Sequence, residues 1–306
     1  MNKIVVVGST NIDMMAKVHR LPECGETVGG AEFSQAIGGK GMNQAIAAAR
    51  LGGEVTFVTS LGNDHYADML KDQLRKEGIS TDYVHDDADN PTGMALIYVS
   101  HAGDNCIAVA PGANGTLHPE LVNTFEPAIA NSDVVVMQAE IPIETIRSTA
   151  RRAHDLGKKV ILNLAPAFVA DSDLLSTVDV LVVNEVEGGV LSGLPYDNSN
   201  LDSIIERLRR TGIPNIIVTV GKDGAHLVTP TDHIHVSSYD VEAIDTVAAG
   251  DTFCGALAVC IKGDYVTLHD MQYASAASAI AVTRQGATTS IPQAAEVEEF
   301  LANIPV

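Results

Sequence analysis

Tryptophan is absent from the 306 residues, and aromatic residues make up only 4%. Proteins that hold single-stranded nucleic acid stack its bases on aromatic side chains, so this composition argues against that class. Basic residues are scarce too. Against 39 Asp and Glu stand 19 Lys and Arg, giving a net charge of −20 and a pI near 4.7. Nucleic-acid duplexes and anionic membrane surfaces demand clustered positive charge, so neither is an expected partner. No apolar stretch approaches the ~20 residues that span a bilayer. The opening MNKIVVVGST has a four-residue apolar run before Gly8 and Ser9, too short for a secretion signal. The four cysteines, Cys24, Cys106, Cys254 and Cys260, have no CxxC spacing. Neither a structural zinc site nor a disulfide framework is expected, and the thiols read as reduced and mostly buried in a cytoplasmic protein.

What remains is ordinary for a folded protein: 46% hydrophobic and 19% charged residues. The length fits two domains or one large α/β unit. β-Branched runs at Ile4–Val7, Val55–Thr59, Val134–Met137, Val160–Leu162, Val180–Val183 and Ile216–Val220 alternate with helical patterns at Met42–Leu51, Ala67–Lys76, Pro119–Ile129, Ile143–Leu156 and Leu201–Arg210. Apolar strands alternating with helices predict a doubly wound, mostly parallel α/β sheet flanked by helices. Two segments break the rhythm. Residues 12–34 read as extended, and residues 92–110 as a hairpin turning at Gly103-Asp104. Together they predict a small β-sheet that leaves the main sheet and returns. Two longer helices, Thr252–Lys262 and Leu268–Thr283, and a last one near Ala294–Leu301 complete the chain.

Several signatures are missing. No GxGxxG follows the first strand, and GxxxxGK[ST], HExxH and GxSxG are absent. His233 and His235 share one strand face and read as an exposed pair.

Five stretches carry chemistry. In DTVAAGDTFCGAL, the small residues Ala248, Ala249 and Gly250 precede Asp251 at the start of a helix. Free N–H groups in a helix's first turn attract anions. An acid there repels a phosphate, unless it takes the proton from a hydroxyl that attacks the phosphorus; the other reading of Asp251 is a helix cap. In AIGGKGMNQA, the glycines at 38, 39 and 41 flank Lys40 and admit a ligand close to the backbone, while Asn43 both donates to and accepts from hydroxyls. In STNIDM, Asn11 and Asp13 follow the first strand, where ligands of such sheets bind. In VVNEVEGG, Asn184 and Glu187 stand on one side of a starting helix, either as a helix N-terminus with favourable acids in its first turn or near Mg²⁺. In VTVGKDG, Thr219, Gly221 and Gly224 form either a plain turn or a nucleotide contact.

In this order the stretches resemble the ribokinase-like (PfkB-type) carbohydrate kinase family, whose two signatures appear here as GGKGMNQA and AAGDTF. Met137-Gln138-Ala139-Glu140 and Asn184-Glu185-Val186-Glu187 add to the likeness, which covers essentially the whole chain as a single domain, 1–306. The resemblance implies ATP-dependent phosphorylation of the 5-hydroxyl of D-ribose. It casts Asp251 as the base, with Ala248, Ala249 and Gly250 as an anion hole. It puts Asn11, Asp13, Gly39, Lys40, Gly41, Asn43 and Glu140 on the sugar. Asn184 and Glu187 would act near Mg²⁺ and the phosphates, and Thr219, Gly221, Gly224, Gly250 and Ser275 near the nucleotide. A monovalent-cation site, usually potassium, would fall at Asp245, Val247, Ala281, Arg284, Gly286 and Ser290. Ser275 departs from the Asn or His found more often near the adenine. The small sheet would close over the sugar, with Ala95 and Ile97 on its apolar face, and would pair two copies into a homodimer. The alternatives are a kinase of 2-deoxyribose, fructose or adenosine, and a non-catalytic sugar or nucleotide sensor on the same fold.

Overall fold

The computed structural model describes residues 1–102 and 104–304, so Gly103 of the expected hairpin turn and the last two residues lie outside it. Nine strands form the main sheet: β1 (Lys3–Val7), β4 (Glu54–Gly62), β5 (Val84–Asp87), β8 (Val134–Gln138), β9 (Lys159–Asn163), β10 (Val180–Asn184), β11 (Asn215–Thr219), β12 (Ala225–Val228) and β13 (His233–Val236). Their spatial order is β13-β12-β11-β10-β9-β8-β1-β4-β5. Only β12 runs against the others, pairing antiparallel with β11 on one side and β13 on the other. The strands β2 (Asn11–Val18), β3 (Glu32–Gly38), β6 (Gly93–Ser100) and β7 (Asn105–Ala110) form a second sheet in the order β3-β2-β6-β7.

Strand alternation divides the core. Ile4 and Val6 of β1 and Val134 and Val136 of β8 join the apolar layer on one face of the main sheet. Val5, Val7, Val135 and Met137 join the layer on the other. Helices α1 (Lys40–Arg50), α2 (His65–Lys76), α8 (Ala249–Cys260), α9 (Leu268–Val282) and α10 (Ala294–Ala302) cover the first face. Helices α3 (Val122–Asn131), α4 (Ile143–Asp155), α5 (Ser172–Leu175), α6 (Glu185–Ser192) and α7 (Leu201–Arg209) cover the second. Contact between α1 and α8 is close because Gly255 has no side chain. A Cβ there would fall 2.5 Å from that of Ala47 and 2.9 Å from the Gln44 carbonyl oxygen. This packing sets the first turn of α1 against the first turn of α8, and the functional residues sit on those two turns.

Some expectations need correction. Helix α8 begins at Ala249, three residues before the expected Thr252, which puts Asp251 inside its first turn. Residues 119–121 form a 3₁₀ turn rather than the start of α3. The extended segment expected over 12–34 is two strands, and the second runs to Gly38, directly into the glycine-rich stretch. Cys24 and Cys106 are exposed, so only Cys254 and partly Cys260 fit the expectation of buried thiols. His233 and His235 are exposed on β13, with His226 of β12 against them. Among the described residues no group of three or more His, Cys, Asp or Glu side chains is arranged to hold a metal ion. Nor is any helix there long and apolar enough to cross a membrane.

Candidate active site

The chain starts inside the main sheet, at β1, and builds outward to both sides. Ligands bind beyond the carboxyl ends of strands where the order reverses. There the segment after β1 crosses the glycine-rich stretch before α1, and the crossing is backbone against backbone. A Cβ on Gly39 would fall 2.7 Å from Asn11 N and 2.8 Å from Thr10 Cα, and Gly39 has φ +89°. A Cβ on Gly41 would fall 2.6 Å from Ser9 N. The contact is closed by the Met42 N–H donating to Ser9 O at 2.9 Å. Glu140, just after β8, ties both segments: its Oε2 accepts from Ser9 Oγ at 2.5 Å and from the Lys40 N–H at 3.0 Å.

Asn11 pairs with Gly38 at the start of the second sheet, and Asp13 follows on the same face. The Asn11 Oδ1 accepts from Asn114 Nδ2 at 2.8 Å, and Asn114 also brackets the Thr10 backbone. Asn114 has no motif around it that marks it in the sequence.

Asp251 is 7% exposed. Its Oδ2 accepts from Asn43 Nδ2 at 2.9 Å and its Oδ1 from Gln44 Nε2 at 3.0 Å. The helix-cap reading of Asp251 therefore fails. The cap position is Ala248, held at φ +60°, and Asp251 spends its oxygens on two side chains of α1. The Ala249 N–H turns back to Thr246 O at 3.3 Å. That moves the open donors along by one residue: among the described residues the Gly250 and Asp251 N–H groups have no hydrogen-bond partner. Around Gly250 a Cβ would meet no atom within 4 Å. The first turn of α8 thus faces open space with free donors, and with a carboxylate beside them.

Charge concentrates here. Burial, then Glu140 and Asp251, push the Asp13 carboxyl up to about 6. Burial opposes the charge on Lys40, but Asp251, Glu140 and Glu187 outweigh it and raise its pKa. Burial also raises the Glu187 carboxyl, opposed by the Asn184 N–H and by Lys40. Lys40 is thus the cation among three acids, Asp251, Glu140 and Glu187.

Asn184 and Glu187 form a reciprocal cap on α6: Asn184 Oδ1 accepts from the Glu187 N–H at 2.7 Å, and Glu187 Oε2 from the Asn184 N–H at 2.8 Å. The pair thus does more than place an acid in the first turn: it caps the helix, and the cap also fixes the Glu187 carboxylate where it senses Lys40 and Asp251. Beyond α8 lies a cavity of about 540 Å³ whose lining includes Thr219, Gly221, Gly224, Gly250 and Ser275. The residues expected near a nucleotide share this one space. At the far side, Asp245 Oδ1 accepts from the Val247 N–H at 3.0 Å and Oδ2 from the Gly286 N–H at 2.9 Å. Those three residues come together, whereas the Arg284 guanidinium turns away to Glu296 and Ser290 Oγ bonds to Ala287 O.

Three buried amides join the site without having been assigned a role from sequence. Gln44, Gln138 and Asn163 interlock beneath Asp251. Two of them had a signal available, because Gln138 and Asn163 are the single polar residues ending otherwise apolar strand runs, VVVMQ and VILN.

Comparison with known proteins agrees with this geometry. Residues 1–294 match the pfkB family carbohydrate kinase description. A ribokinase of Staphylococcus aureus is 39% identical over 301 residues, covering 97% of this chain and 99% of that one. A deoxyribokinase of Salmonella typhi is 34% identical over 305 residues, covering 98% of each. The structure of Arabidopsis thaliana ribokinase complexed with ribose and ATP superposes with a TM-score of 0.90 at 29% identity, covering 99% of both chains. With its GGKG crossing, its Asp251 turn and a family match over nearly its whole length, the chain belongs to the pfkB family of carbohydrate kinases.

Proposed function

We propose that the protein transfers the γ-phosphate of ATP to the 5-hydroxyl of D-ribose, giving D-ribose 5-phosphate and ADP. The observation that carries this reading is the pairing, on one helical turn, of an oriented carboxylate with two unpartnered N–H groups. Asp251 accepts the hydroxyl proton as the oxygen attacks phosphorus. The Gly250 and Asp251 N–H groups stabilise the charge on the phosphoryl group in transit, with Ala248 and Ala249 shaping the turn. Asn11, Asp13, Gly39, Lys40, Gly41, Asn43 and Glu140 hold the sugar. Two observations support this: Asn43 Oδ1 is buried with no partner, and only one oxygen of Glu140 is taken. The nucleotide occupies the cavity at Thr219, Gly221, Gly224 and Ser275.

Mg²⁺ fits this donor set, because it needs few protein oxygens besides phosphates and waters. Glu187 and Asn184 would orient its waters, and the ion would neutralise phosphate charge that a chain of net charge −20 repels. A potassium ion would be held at the turn of Asp245, Val247 and Gly286, where two N–H groups fix the Asp245 carboxylate, with backbone oxygens of Ala281, Arg284 and Ser290 as further ligands. It would stiffen the segment leading into the anion-binding turn. The cytoplasm, where ATP is abundant, is the compartment proposed for the reaction.

The second sheet acts as the lid of this single domain. Asp13, Ala95 and Val109 stand in register on one face of it, beside Ile97 and Ile107. Ile107 and Val109 are each 55% exposed, and Leu96, Tyr98 and Phe33 on the other face are exposed as well. Apolar surface on both faces favours a second copy of the chain. Light scattering at micromolar concentration should give the dimer mass, and a monomer would contradict the pairing.

A substrate panel tests the proposal. ADP release with Mg-ATP should be fastest with ribose, and faster in potassium than in sodium. The deoxyribokinase relative makes 2-deoxyribose the second reading. A higher kcat/KM for 2-deoxyribose would select it, and turnover with neither pentose would remove both.

Asp13 adds a pH signature. Its folded pKa of about 6 lies above the unfolded 3.8, so the folded protein holds this proton to higher pH. Stability therefore falls as pH rises through that window, by on the order of 3 kcal/mol at neutral pH. Asp13→Asn should raise Tm by several degrees at neutral pH and by little near pH 4, while weakening ribose binding at least tenfold. An equal Tm shift at both pH values would contradict the assignment.

A further inference from the structure

The two donors to Asp251 are not equivalent. Asn43 is 5% exposed and reaches Oδ2 from the side of the proposed sugar site. Gln44 is fully buried and reaches Oδ1 from beneath. Its amide belongs to a chain of side chains with only one consistent polarity. A backbone carbonyl only accepts, so the Val182 oxygen draws the Nδ2 of Asn163, at 3.2 Å. The Asn163 Oδ1 must then face Gln44, which presents Nε2 to it at 3.0 Å. The same Nε2 reaches Asp251 Oδ1, also at 3.0 Å. The Gln44 Oε1 is thereby turned toward Gln138, whose Nε2 donates to it at 2.7 Å. A backbone carbonyl of β10 thus dictates, through two amides, that a donor and not an acceptor meets the carboxylate.

We infer that Gln44, locked by Asn163 and Gln138, is a positioning residue for phosphoryl transfer: it holds the Asp251 carboxylate in the orientation that takes the hydroxyl proton. The burial is expensive for a purely structural device. Gln138 is fully buried and its Oε1 has no partner. It is packed so tightly that a Cβ on Gly8 would fall 2.0 Å from that oxygen. A buried amide network with an unsatisfied member stabilises less than apolar packing would. Its return is the fixed direction of one hydrogen bond at Asp251. If the Gln44 amide flips, its oxygen opposes the carboxylate oxygen and drives it out of line. Alignment of the reacting groups is what such a site supplies, and small displacements are costly to the rate.

The inference rests on Asp251 being the base, so the experiment separates the two claims. Gln44→Met keeps the volume and removes the donor. It should lower kcat with ribose 10- to 100-fold, with KM for ribose and for ATP within threefold of the wild-type values. Gln138→Met leaves Gln44 in place but removes the donor that holds its Oε1, one of its two locks, and should lower kcat three- to tenfold with the same unchanged KM values. The decisive comparison is the double variant Gln44→Met/Asp251→Asn. If Gln44 acts through Asp251, it should turn over no more slowly than Asp251→Asn alone. A further tenfold loss in the double variant would overturn the inference, because Gln44 would then act independently of the base. So would a kcat within twofold of wild type in both single Met variants. A rise in KM for ribose with kcat retained would overturn it as well, by making Gln44 a sugar contact. If Gln44→Met does not fold, Gln138→Met alone decides. Should Asp251→Asn itself retain near-normal turnover, the base assignment fails, a result distinct from any of these.

Discussion

Replacing Asp251 by Asn lowers turnover with ribose by about 10³-fold, within the span that general-base catalysis contributes, and leaves ribose binding within a few-fold of wild type. Asn has nearly the same shape, and its oxygen still accepts from one of the two amides at Asn43 and Gln44. What it lacks is the ability to take a proton. The free N–H groups of the α8 turn are untouched, so residual catalysis from charge stabilisation persists above the uncatalysed rate. Calorimetric ribose binding alongside steady-state turnover checks both halves. A loss of binding equal to the loss of turnover would make Asp251 a sugar ligand and leave the reaction without its base.

Gly39→Ala should be nearly as damaging for a different reason. Gly39 sits at φ +89°, and its missing Cβ would fall within 3.0 Å of three atoms of the 9–11 segment. Those atoms are backbone, so no side chain can swing away to make room. The crossing must open, and it carries Asn11 on one segment and Lys40, at the start of α1, on the other. KM for ribose should rise at least 100-fold and Tm should fall. Gly250→Ala is the informative contrast. No atom lies within 4 Å of the Cβ it would add, and Ala favours a helix. Tm should be unchanged or slightly raised, while kcat/KM for ATP falls 10- to 100-fold because the methyl occupies phosphate space. If Gly250→Ala were as active as wild type, the phosphoryl group would not lie against this turn.

The parallel sheet was readable because its strands are covered on both faces and therefore almost wholly apolar. Val5 and Val7 face one layer and Ile4 and Val6 the other, and a run of valines and isoleucines marks both without a partner in sight. The glycine-rich stretch was readable because only glycine permits the crossing that the structure contains. Strand β12 passed unmarked, and β13 was noted only through His233 and His235, since four residues each, with histidines among them, give no clean alternation. The start of α8 was misplaced because Ala248 adopts a left-handed conformation that a non-glycine residue seldom takes, so no glycine or cap residue announces the helix.

The site divides in the same way. Asp251, Asn43 and Lys40 lie in dense motifs whose residue types fit their chemistry. Asn114 and Asn163 do not, and Gln138, although inside the Met137–Glu140 motif, carried no role of its own, because the roles of all three arise from contacts across 103, 119 and 94 positions of sequence. Asn184 and Glu187 show how one spacing serves two readings. Three residues apart, they close a helix cap, and the same cap aims Glu187 at the charged centre. Of Gly188 and Gly189, which weaken a helix in isolation, the second is required by packing. A Cβ on Gly189 would fall 2.8 Å from the backbone nitrogen of Tyr196.

The most direct test of the central claim is the identity of the product. Incubation of the protein with Mg-ATP and D-ribose, followed by proton-coupled phosphorus NMR, should show ADP and a phosphomonoester split by the two protons of carbon 5. A phosphorus signal coupled to the single anomeric proton would contradict the proposed geometry, and ATP left intact beside folded protein would contradict the proposed reaction.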